Sequence, residues 1–144
     1  MTKIIKKLPK KNNAADGQKA HNDTKFFKVG RIRYNSWAAK ALKVCDIVVS
    51  ERELVHIQKK HNAELEQIGM NAFDFVKFIV DNFNEIYQGS GTSILLVVRR
   101  DYISNQAAIE ITILNEKEKY LIKTAEPVKT RRLSSKKLLC ANDR

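Results

Sequence analysis

The chain has 144 residues, of which 43% are hydrophobic and 30% charged, and it carries a formal net charge of +11. That length fits one domain with a sizeable core, is too short for two full enzyme domains, and its apolar content excludes a fully disordered chain. Two distant cysteines, Cys45 and Cys140, exclude a disulfide framework or zinc knuckle, and the longest aliphatic run, Ile94–Val98, falls far below the ~20 residues of a membrane helix.

Residues 1–25 lack sustained periodicity and are rich in Lys, Asn, Ala and Asp, which predicts a basic flexible arm. No apolar segment follows that basic start, so no secretory signal is expected, and the protein is read as cytoplasmic. Residues 26–34 alternate loosely and predict a short strand, after which Asn35 and Ser36 cap a short helix through Trp37–Leu42. Residues 46–49 read as a brief extended stretch. Ser50 with Glu53 three residues later has the spacing of a capping box, and Leu54, Ile57, His61, Leu65 and Ile68 then recur at threes and fours. One helix is therefore expected from Ser50 to Gly69, whose glycine supplies the stop. Asn71 with Asp74 opens a second, with Phe73, Val76, Ile79, Val80 and Phe83 on its apolar face.

After Asn84 the period changes. Residues 85–87 lead into the turn 88–91, and residues 93–100 read as a buried strand. Residues 107–114 alternate cleanly, and residues 119–125 form a further strand with Tyr120, Ile122 and Thr124 on one face. Helices first and strands afterwards predict an α+β fold, with the N-terminal helices packed on one face of an antiparallel β-meander of about four strands. The expected organisation is an arm over 1–25, a single domain over 26–128 and a basic C-terminal tail over 129–144.

Charge is concentrated at the two ends. Residues 1–28 carry eight Lys against Asp16 and Asp23, residues 129–144 carry six basic side chains against Asp143, and the middle is neutral. Basic arms around a neutral core favour a polyanion, because each phosphate contact releases condensed counterions. The plainer alternative is solubility.

No phosphate-binding glycine loop, HExxH helix, GxSxG elbow or dense carboxylate cluster is present. What remains is the run from His56 to His61. Five residues apart on a helix, these histidines differ in direction by about 140°, so His61 joins the apolar stripe while His56 lies beside it, near Lys59 and Lys60. A histidine at the core's edge suits general acid–base work near neutral pH, or simply makes a hydrogen bond at the core boundary. Trp37 and the Phe26–Phe27 pair either stack on bases or pin a peripheral segment. Arg99 and Arg100 end a strand, either reaching the same cleft or solvated.

Residues 46–126 resemble the phage-associated branch of the Barnase–EndoU–Colicin–RelE (BECR) nuclease superfamily. The likeness is carried by the extended segment 46–49, the Ser50-capped helix with His56-Ile57 and His61, and the second helix ending near Asn82. The strand pair around Ile86 and 95–98, and a last strand ending Lys123-Thr124 before Pro127-Val128, continue it. The segment from Val29 to Ile32 resembles one found ahead of that domain. The resemblance implies a metal-independent endoribonuclease, toxin- or effector-like, acting on RNA such as tRNA by 2′-OH attack to leave a 2′,3′-cyclic phosphate. It makes His61 and His56 the acid–base candidates and Thr124 a hydroxyl donor to phosphate. Lys59, Lys60, Lys129, Arg131 and Arg132 are the candidate nucleic-acid contacts, with Lys123 a weaker one. No metal and no cofactor is implied, no membrane is involved, and an acidic immunity or inhibitor protein is a candidate partner. The rival readings are a non-catalytic nucleic-acid-binding protein of a phage or mobile element, and an interaction protein whose basic ends dock an acidic partner.

Overall fold

The computed structural model describes residues 25–99, 103–114 and 117–142. Its architecture is mixed α+β. Among the described residues seven strands form one sheet: β1 (Phe26–Arg31), β2 (Asp46–Ser50), β3 (Glu85–Gln88), β4 (Ile94–Val98), β5 (Ile103–Leu114), β6 (Lys117–Lys129) and β7 (Leu138–Ala141). Their spatial order is β1-β2-β6-β5-β4-β3-β7. Every pairing is antiparallel except β2 with β6, where Ile47 and Val48 lie parallel to Tyr120 and Leu121.

The sheet is therefore larger than the expected meander of about four strands. β1 and β2 fall on the extended segments expected over 26–34 and 46–49 and join the same sheet, whereas β7 was not expected, because its partner β3 lies about fifty residues away. Residues after 128, read as a basic tail, run into a 3-10 turn (Thr130–Ser135) and then β7, which pairs with β3. The arm expected over 1–25 lies outside the described residues, Lys25 excepted.

Three helices follow the local signals. Helix α1 (Glu51–Lys60) begins at Ser50, whose Oγ accepts from the Glu53 amide at 3.0 Å. Helix α3 (Ala72–Asn82) begins at Asn71, whose Oδ1 accepts from the Asp74 amide at 2.8 Å. The single helix expected between Ser50 and Gly69 is instead two. The backbone leaves helical geometry at His61 (φ −119°, ψ 26°) and resumes as α2 (Asn62–Ile68). That break turns Ile68 out of the apolar stripe, and the residue is 48% exposed. Gly69 then stops α2 with φ +72°, the left-handed conformation that favours glycine. The helix expected over 37–42 is a 3-10 turn, Trp37–Lys40.

The main core joins helices to sheet. Leu54, Ile57, Leu65, Phe75, Val76 and Ile79 cluster with Val29, Ile47, Val49, Ile86, Leu96 and Ile122. Alternate residues of β3 and β4 point the other way: Tyr87, Leu95 and Val97 form a smaller cluster under Leu133 of the second 3-10 turn. Both sheet faces are thus covered where β3 and β4 run, which explains the near-continuous apolar run 94–98.

Position 124 departs from the expected face. The β5–β6 register steps from Ile122 opposite Ile109 to Thr124 opposite Ala108, so Lys123 is the inserted residue of a bulge. Past it the phase reverses, and Ala125 rather than Thr124 joins Tyr120 and Ile122 in the main core.

On the other flank β1 also bulges, between Lys28 and Gly30. There Gly30 lies so close to α3 that a Cβ would collide with Cγ1 of Val80, and Lys77 Nζ donates to the Val29 carbonyl at 3.2 Å. Asp46 ties three strands together, bonding Arg31 at 2.8 Å and standing 3.5 Å from both Lys28 and Lys119. The Arg31 hydrogen bond, ahead of the lysine charges, holds its carboxyl below the usual range. Gly30→Ala is expected to lower stability by about 1–3 kcal/mol through overpacking against Val80; urea unfolding measures it, and an unchanged midpoint would contradict the close packing.

Candidate functional site

The break between α1 and α2 gives His61 its position. Its amide still bonds the Ile57 carbonyl at 3.0 Å, and its carbonyl accepts from Leu65 at 2.9 Å, so the residue closes one helix and opens the next. Its side chain is 9% exposed. Nδ1 lies 3.2 Å from Glu64 Oε1, and Nε2 lies 3.5 Å from Glu126 Oε1 on β6. Nε2 is buried without a hydrogen-bond partner among the described residues.

The chemistry of that triplet follows from donor counting. A carboxylate only accepts, so the Nδ1 contact to Glu64 places a proton on Nδ1. In a neutral ring Nε2 then presents a lone pair toward Glu126 Oε1, and two lone pairs at that distance repel. One further proton, on either atom, converts the contact into attraction. The His61–Glu126 contact is thus a close approach of two polar groups with no hydrogen bond between them.

Glu126 has a second exposure. β2 pairs only with Tyr120 and Leu121, so among the described residues no strand prolongs its position along 123–129. Where β6 enters the 3-10 turn, Glu126 lines a cavity of about 340 Å3 with Val128, Arg132, Leu133, Ser135 and Lys136. Its carboxylate, 33% exposed, therefore faces the buried imidazole on one side and two cations across an open hollow on the other. Leu133, buried on Tyr87, Leu95 and Val97, anchors the turn that carries Arg132. Behind that cluster, Arg99 donates to Glu85 at 2.8 Å and to the Tyr87 hydroxyl at 2.9 Å, so this arginine belongs to the strand framework. Arg100 lies outside the described residues.

The residues expected at the site separate. His61 and Arg132 meet it through Glu126. His56, Lys59 and Lys60 are exposed on α1, Thr124 is half-buried beyond the bulge, and Lys129 and Arg131 are exposed. The sequence reading does not single out Glu126 as a neighbour of His61, nor Ser135 and Lys136 as lining of the hollow. The pairing of β6 with β5 and the bulge bring Glu126 to His61, and neither leaves a local pattern. Among the described residues, no group of three or more His, Cys, Asp or Glu is placed to hold a metal ion, and no helix is long and apolar enough to cross a membrane.

A second carboxylate stands on α1. Glu53 Oε2 is buried without a hydrogen-bond partner among the described residues. Burial pushes this carboxyl above its ordinary 4.5, and the charges of His56, Lys60 and Lys123 partly oppose that rise. The bulge residue Lys123 and the exposed His56 and Lys60 thus share an electrostatic neighbourhood around Glu53.

No protein-family model matches the chain, and neither the curated proteins nor the solved structures yield a match.

The raised Glu53 pKa carries a sign. Between its unfolded and folded values the folded state binds more protons, so stability falls as pH rises through that interval. Above the interval the charged carboxylate is a standing cost. Glu53→Gln is therefore expected to raise Tm relative to the parent at pH 7, with the difference shrinking toward pH 4. Equal differences at both values, measured by thermal melts, would contradict the desolvation account.

Proposed function

We propose that the chain is a small metal-independent endoribonuclease domain of the BECR kind, with Glu126 as its general base. The observation that carries the reading is the Glu126 carboxylate, which lies 3.5 Å from the buried His61 ring and lines one hollow with the cations Arg132 and Lys136. The concentration of the +11 charge at the two chain ends supports a polyanionic substrate.

In this reading Glu126 withdraws the proton of a ribose 2′-OH, whose oxygen attacks the adjacent phosphorus. The 5′-oxygen leaves with a proton from a second group, and a 2′,3′-cyclic phosphate remains. Arg132 and Lys136 offset the negative charge that grows on the phosphorane, where fixed donors act most strongly because they need no reorganisation. His61, with Nε2 buried, touches no substrate: its ring, held by Glu64, packs 3.5 Å from Glu126 and helps to place that carboxylate. Its role changes from the direct acid–base catalyst expected from sequence to a positioning residue. His56 and Thr124 stand outside this hollow and carry no step.

Bulk tRNA incubated in excess EDTA tests the reading. The wild type is expected to give fragments with 2′,3′-cyclic ends. Glu126→Gln is expected to lose about 10²–10⁴ of the rate with its melting temperature unchanged, the range of a positioned general base. Absence of cleavage across several RNAs, with salt-sensitive binding retained, would instead establish the non-catalytic nucleic-acid-binding protein.

A further inference from the structure

A second hollow, of about 360 Å3, opens on the other flank of the sheet, between the β1 bulge, the Trp37–Lys40 turn and α3. Its volume falls at the lower end of the roughly 300–1,000 Å3 range of small-molecule sites. Two aromatic rings form one wall: Trp37 and Phe83 pack with centroids 5.4 Å apart at 49°. Both rings also pack against the main core, so the wall is fixed rather than floating.

The rim is cationic. Arg31, Arg33 and Lys77 line it against the single carboxylate of Asp81. Two of those cations are already engaged, Arg31 with Asp46 at 2.8 Å and Lys77 with Asp81 at 3.1 Å and the Val29 carbonyl at 3.2 Å. These bonds hold them in place and leave part of their donor capacity open, since a guanidinium has five N–H groups and an ammonium three. The Arg33 guanidinium has no partner among the described residues. The Arg33 backbone is nevertheless fixed, because its carbonyl accepts from the Ser36 amide at 3.0 Å and the Ser36 hydroxyl at 2.8 Å.

An aromatic wall held against the core, in one hollow with a guanidinium whose backbone is anchored and whose head is unengaged, suits a planar base joined to a phosphate. Every base has a π-face to stack, and a guanidinium matches phosphate bidentately. A bare anion leaves the aromatic wall unused, and an apolar ligand leaves Arg33 unused. We propose that this hollow binds a nucleoside monophosphate unit, its base against Trp37 and its phosphate on Arg33 with support from Arg31 and Lys77. The site shares no residue with the Glu126 hollow, and its occupation does not depend on cleavage there.

Trp37 is the sole tryptophan of the chain, so its fluorescence reports the site directly. Titration with adenosine monophosphate is expected to quench it saturably. Arg33→Ala is expected to weaken that binding at least tenfold, while Glu126→Gln leaves it in place. Because Arg33 is exposed, its truncation does not touch the core. An oligodeoxyadenylate that binds more than tenfold tighter than the mononucleotide identifies a strand as the source of the unit, and equal affinities identify a free nucleotide. No saturable quench, the same quench from inorganic phosphate alone, or an affinity unaltered by Arg33→Ala would each overturn the proposal.

Discussion

One inserted residue, Lys123, sets the geometry on which the candidate site depends. Up to Ile122 the strand β6 alternates in phase with Tyr120, its helix-facing side chains filling the main core. The bulge shifts the phase, so that Ala125 takes the core position and Thr124 loses it. A bulge also bends a strand and sharpens its twist. Here the bend falls just after the two residues that β2 covers, at the start of the stretch that no second strand flanks among the described residues. Glu126 follows three residues later, within 3.5 Å of His61. Were these residues to run as a regular ladder, with Lys123 paired to Ala108, every side chain from 124 onward would change faces, and Glu126 would lose its approach to His61.

The same strand closes over the histidine. The His61 ring lies 3.2 Å from Glu64 on its own helical turn and 3.5 Å from Glu126 across the sheet, and Nε2 makes no hydrogen bond among the described residues. The break in helical geometry at His61 separates Lys59 and Lys60 at the end of α1 from Glu64 in the first turn of α2. Each charge sits at the helix end whose dipole favours it. The two helix ends therefore meet at His61 with their electrostatics satisfied, which makes a break here cheaper than it would be one turn earlier.

What could be read in the sequence was what short-range chemistry decides. Ser50, Asn71 and Gly69 announce their helix ends because caps and a left-handed stop are satisfied within three or four residues. The α+β class follows from the switch of period after Asn84. The break at His61 was hidden, since a side chain that fits the apolar stripe at every third or fourth position gives no sign that its backbone leaves the helix. The bulge at Lys123, the strand status of Leu138–Ala141 and the partnership of Glu126 with His61 depend on pairing between distant segments. No window of a dozen residues contains both halves of any of them. His61 was identified as a site residue, but its contacts, and so its role, were not.

The parallel pairing of β2 with β6 bears on how the molecule comes together. Strands β3 to β6 are neighbours in sequence and in space and close through short or moderate loops, whereas Ile47 meets Tyr120 across 73 residues and Ile86 meets Cys140 across 54. Loop-closure entropy must be met before such distant contacts return anything, so the central strands have a kinetic advantage over both flanks. Glu126 resides in the early-forming portion, but His61 arrives only with the β2–α1 unit, and the wall bearing Arg132 settles with the turn that leads into β7. A chain part-way through folding thus holds the carboxylate without the imidazole or the cations: the chemistry of the hollow is gated by completion of the sheet.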